Sequence, residues 1–253
     1  MEMSEAGRDI QFPYSPERII GMRKTNSMAG MEIISKLYNY EEVKDKLILR
    51  PLNYPDHAFE LQNNVYRRLG DIALVLYGLI SDNGDEGVTT FRIPRGIFER
   101  WGLEEDIVID QALMMTALKA PARLFFTPME MLSAGTMTGA FMTSAGQAGQ
   151  IGKWDVPIVT TTRRINGAIA VFYPGVFERI SQMYGKKNYF IVFTSIHEAR
   201  LHCEDSVPPV YMADSLSEIN RSFEADEILS RKIFYYDMLE KRLRVFNPLA
   251  NMA

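Results

Sequence analysis

A single cysteine, Cys203, stands among 253 residues. An intramolecular disulfide is excluded, and so is any zinc site built from several thiolates. A lone thiol suits a reducing compartment, and the cytoplasm is the expected location. Long apolar runs are missing as well. A helix that spans a bilayer takes roughly 20 consecutive apolar residues, and the longest candidate, Ile72–Ile80, is strand-sized. Nor does MEMSEAGRDIQFPYSPERII read as a signal peptide, because its acids come early and it has no apolar core. No membrane association is expected. Basic excess is absent: 28 Lys and Arg against 32 Asp and Glu give a formal net charge of −4, with a pI near 5.5. Nucleic acid is therefore not favoured as a partner.

Complete catalytic motifs are lacking too. GQAGQIGK (146–153) invites comparison with phosphate loops, but Gln147 and Trp154 occupy the positions of the first glycine and the magnesium-binding hydroxyl. HEARLH (197–202) resembles a zinc-protease motif, yet its second histidine falls five residues on, about 140° around a helix from the first. With three histidines in the whole chain, no metal and no cofactor are expected.

What is present is ordinary globular composition, 47% apolar and 24% charged. The pattern is organised around Arg164–His202, which parses as turn, strand, helix, strand and turn. Strands are expected over Val43–Leu52 (after a helical turn), Arg67–Ile80, Val88–Ile93, Pro157–Arg164, Ala168–Tyr173, Tyr189–Thr194 and Ala199–Cys203, with a closing hairpin of Lys232–Tyr236 and Arg242–Phe246. Arg67–Ile80 is apolar on both faces, as a doubly covered strand requires. Asn83-Gly84 and Asn166-Gly167 are placed for tight hairpin turns. Helices are expected over Leu103–Leu118, with Ile107, Ile109, Leu113, Met114 and Leu118 at helical spacing, and over Val176–Tyr184. A further helix runs to Phe223, capped by Asp214 or Ser215.

The expected fold class is α+β, a mixed, mostly antiparallel sheet with helices packed against it. Its organisation is an arm poorly ordered over 1–30, a first half over 31–132, a Gly/Ala/Met-rich flexible linker over 133–153, and a second half over 154–253. The halves form either one domain or two. An internal echo links them: NGDEGVTTFRIPRGIFERWG (83–102) and NGAIAVFYPGVFERISQMYG (166–185) share Asn-Gly, proline, glycine and Phe-Glu-Arg in the same order. This suggests a repeated strand–turn–strand–helix unit.

The densest set of reactive side chains is Ser195, His197, Glu198 and Cys203, at a turn after an apolar strand. His197 is a base near neutral pH. Cys203 is a nucleophile only if a neighbouring histidine lowers its pKa, and Glu204 and Asp205 act the other way. The bland alternative has Ser195 and His197 bonding turn backbone and Cys203 packed in the core.

Four blocks carry a family resemblance: SKLYNYEEVKDKLILRPLN (35–53), RINGAIAVFYPGVFE (164–178), YFIVFTSIHE (189–198) and EILSRKIFYYD (227–237). In this order they resemble an uncharacterised domain-of-unknown-function family common in clostridial gut bacteria. The resemblance implies that a longer N-terminal segment usually precedes the VKDK block, and it implies no activity. The leading expectation is a non-enzymatic soluble binding or regulatory module with a protein or small-molecule partner. Two alternatives stand beside it: a hydrolase or transferase centred on Ser195–Glu198, and a nucleic-acid-binding accessory protein.

Overall fold

The computed structural model describes residues 36–82, 88–133 and 150–247. The expected arm, the Asn83-Gly84 turn and most of the expected linker lie outside them.

The first sheet contains β1 (Leu47–Asn53), β2 (Tyr66–Leu69), β3 (Ile72–Asp82) and β4 (Val88–Arg92), with β3 at its centre. β1 lies along one edge of β3, while β2 and β4 share the other edge. Pro51 is tolerated inside β1 because an edge strand has one side without ladder bonds. Arg67–Ile80 does not run as a single strand. The chain reverses at Gly70, whose φ of 61° suits a tight hairpin, and β2 folds back on β3. The central part of β3 is covered on both faces: Ile72, Leu74 and Leu76 on one, Ala73, Val75 and Tyr77 on the other.

The second sheet contains β5 (Ala122–Phe125), β6 (Ile158–Thr161), β7 (Tyr189–Phe193), β8 (Ala199–Cys203), β9 (Ile233–Asp237) and β10 (Arg242–Val245), in the order β10-β9-β7-β8-β6-β5. Every strand pairing in both sheets is antiparallel among the described residues. Helices α1 (Tyr40–Val43), α2 (Tyr54–His57), α3 (Arg95–Phe98), α4 (Glu105–Lys119), α5 (Pro128–Ser133), α6 (Val176–Met183) and α7 (Pro209–Asn220) complete an α+β fold.

One buried cluster takes residues from both sheets. Leu49 and Leu76 belong to it, as do Ile191, Leu201 and Phe234. Phe193 anchors its aromatic part, stacked on Phe172 at 5.6 Å and edge-on to Phe234 at 5.2 Å. Polar bonds also join the sheets. Buried Asp71, just before β3, accepts from the Ser230 hydroxyl (2.7 Å) and the Arg231 backbone N–H (3.0 Å). Asn53 donates to the Leu229 carbonyl at 3.1 Å, and Arg163 grips Asp82 with both terminal nitrogens.

Three further expected elements differ. Ala168–Tyr173 is not a strand; Gly167–Phe172 is a buried 3₁₀ helix. β6 pairs with β5 along its length and with β8 at Ile158 and Val159, so a returning strand would find an edge only at Thr160 and Thr161. A β-carbon at Gly167 would collide with the Thr160 hydroxyl, so this segment lies hard against β6. The echo therefore ends in unlike structures, because β4 is a strand and its counterpart is not. The helix expected to start at Asp214 or Ser215 begins at Pro209, where a proline ring suits the first turn. On α4, Ile109 and Leu113 are buried, but Ile107, Met114 and Leu118 are 55%, 57% and 73% exposed. The face that packs consists of Val108, Ile109, Ala112, Leu113 and Thr116. Apolar residues line both sides of this helix, and its packing on β1 decides between them.

Candidate functional site

β8 reads ARLHC and alternates. Ala199, Leu201 and Cys203 enter the main core, while Arg200 and His202 point to the opposite face of the second sheet. That outer face is roofed by α7, whose Met212 and Leu216 pack on Phe190 and Val192 of β7 and Ile233 of β9. The roof covers the β7–β9 side. Over β8 it leaves a cavity of about 580 Å³, within the usual range for small-molecule sites.

The cavity has an unequal lining. Its apolar wall is Val156, Val192, Val207, Met212, Leu216 and Ile219; its polar strip is Thr194, Glu198, Arg200 and His202. Tyr211 and Phe223, which are 62% and 37% exposed, stand at its rim.

The polar strip is already connected. Glu198 Oε1 accepts from the Thr194 hydroxyl at 3.2 Å and from Arg200 Nε at 3.2 Å, and lies 3.1 Å from Arg200 Nη2. These donors converge on one carboxylate oxygen, leaving Oε2 outside the network. Among the described residues, buried His202 Nδ1 has no hydrogen-bond partner. Burial, and next the Arg200 charge, push the His202 pKa down to about 4, so the imidazole is neutral at neutral pH.

Of Ser195, His197, Glu198 and Cys203, Glu198 alone lines the cavity. Ser195 is buried, and its hydroxyl accepts the His197 backbone N–H at 3.0 Å. His197 Nδ1 accepts the Asn166 N–H at 3.1 Å, and the His197 carbonyl accepts the Thr160 hydroxyl at 2.8 Å. Together these bonds fasten the turns at 166 and 197 to β6. Cys203 is 1% exposed in the main core, behind the sheet from His202. Among the described residues, no group of three or more His, Cys, Asp or Glu is placed to hold a metal ion, and no helix is long and apolar enough to cross a membrane.

Arg200, Met212 and Leu216 carry no sequence signal of a site, although Arg200 and His202 are spaced to share a strand face. No local pattern indicates that a helix beginning six residues after β8 roofs that face.

No curated protein and no solved structure matches the chain. A family model does match, over residues 5–238, and this range takes in all the blocks that carry the sequence resemblance. The chain belongs to DUF5688, a family of unknown function.

Proposed function

We propose that this chain is a non-enzymatic cytoplasmic binding module that admits a small amphipathic molecule between the second sheet and α7. The supporting observation is the cavity's composition: an apolar wall faces a polar strip of Thr194, Glu198, Arg200 and His202. Small-molecule sites combine a mostly apolar lining with a few polar groups that fix orientation, and this lining has that make-up.

The hydrolase or transferase reading has less support. It needs a nucleophile activated by a nearby base, whereas the Ser195 and His197 side chains bond backbone groups. A nucleic-acid surface needs basic groups that converge on one face. Here Lys187 pairs with Asp205 and Arg231 with Asp56, at separate places on the surface.

The test uses N-phenyl-α-naphthylamine, an uncharged dye whose fluorescence rises in apolar sites. Ser215 is exposed and lines the cavity, so Ser215→Trp fills the space without entering the core. Saturable dye binding is expected in the parent protein. It should be lost in Ser215→Trp at an unchanged melting temperature. Equal binding by both proteins would place the dye elsewhere and end this reading.

A further inference from the structure

This inference rests on the cavity reading and concerns which molecules the cavity accepts. The Glu198 carboxylate and the Arg200 guanidinium cancel each other's charge inside the lining. The one other titratable group on the polar strip, His202, is neutral at neutral pH. The lining thus has no net charge while keeping several polar atoms.

Partial burial makes that balance consequential. The Glu198 and Arg200 side chains are 19% and 26% exposed, so their attraction is screened less than that of a surface pair. An anion must compete with Glu198 for Arg200. A cation must compete with Arg200 for Glu198. Either exchange leaves one charge of a partly buried pair uncompensated, which is costly. A neutral molecule meets no such penalty. It finds Glu198 Oε2 and the neutral His202 ring, whose Nδ1 is buried, so that Nε2 is the nitrogen left to face the cavity.

We infer that the cavity selects uncharged amphipathic molecules with a hydroxyl- or amide-type head, and that the Glu198–Arg200 pair excludes charged ones. The head bonds His202 and Glu198 Oε2, and the apolar body lies against Val192, Met212, Leu216 and Ile219.

N-phenyl-α-naphthylamine and its sulfonated analogue share one aromatic body and differ in charge, so their affinity ratio reads the selection. Glu198→Gln frees Arg200 and gives the lining a positive charge. Affinity for the sulfonated dye should rise about tenfold, while that for the neutral dye stays within about threefold. The double variant Glu198→Gln, Arg200→Met is neutral again and should restore the parent ratio. Arg200→Met alone leaves a carboxylate and should weaken the sulfonated dye, which keeps the test decisive if Glu198→Gln does not fold. Binding that is lost in Ser215→Trp but has the same dye ratio in every charge variant overturns charge selection and leaves the cavity reading standing. If neither dye binds, or if Ser215→Trp does not affect binding, the cavity reading falls and the inference with it.

Discussion

His202 is the residue whose setting most affects behaviour. Its pKa in the folded chain is about 4, against 6.5 for the free side chain. Between these values the unfolded chain binds a proton that the folded chain does not. Stability is therefore complete above about pH 6.5 and declines as pH falls toward 4. From about pH 7.5 to about pH 5 this group should remove roughly 2 kcal/mol. Chemical denaturation of the parent and of His202→Asn at both pH values checks it. The variant, which cannot titrate there, should lose less stability on acidification by about that amount, and equal losses would show that His202 is not the source. In the sequence His202 is a neighbour that could activate Cys203, but the structure puts the two on opposite faces of β8. The alternation of His202 with Arg200 was readable, but the desolvation that sets its pKa comes from segments distant in the chain. Glu198 was named for a catalytic constellation with Ser195 and His197. The turn instead directs Ser195 and His197 to backbone groups and Glu198 toward Arg200.

Elements whose cues lie within a few residues were legible: the pairing of Tyr189–Phe193 with Ala199–Cys203, the final hairpin and the helix from Val176. Those decided by neighbours were not. The 3₁₀ helix at Gly167–Phe172 is pressed against Thr160 and Thr161 of β6, and the packed face of α4 follows from what lies beneath it. α4 also protects the edge of the first sheet. Thr116 donates to the Ala112 carbonyl at 2.6 Å, and its hydroxyl oxygen accepts the Leu49 N–H of β1 at 2.9 Å. Thr116→Val keeps the shape and leaves that buried N–H unpaired, so about 1–3 kcal/mol should be lost. Thr116→Ser keeps the oxygen and should lose clearly less. Urea midpoints of the two variants separate the hydrogen bond from packing, and a Ser variant as unstable as the Val variant would assign the effect to packing.

At the scale of the whole molecule, the question is whether the sheets open together. One hydrophobic cluster draws on both, and Asp71 holds Ser230 and Arg231 across them. A shared core makes unfolding cooperative, because exposing one face exposes the other. The chain carries its own reporters. Cys203 is the single cysteine and lies buried in the second sheet. Trp101, beside the first sheet, donates to the Leu37 carbonyl at 2.8 Å. Trp154 is 71% exposed, so Trp154→Phe leaves Trp101 as the sole indole at little structural cost. In that background the free energy for exposing Cys203, from thiol-labelling rates, should equal the unfolding free energy from Trp101 fluorescence. Asp71→Ala leaves the buried Ser230 hydroxyl and the part-buried Arg231 N–H without their carboxylate and should lower both values by about 2 kcal/mol. A Cys203 value well below the Trp101 value would mean that the second sheet opens alone. If so, the Asp71 bonds would tie together two units that unfold separately rather than one.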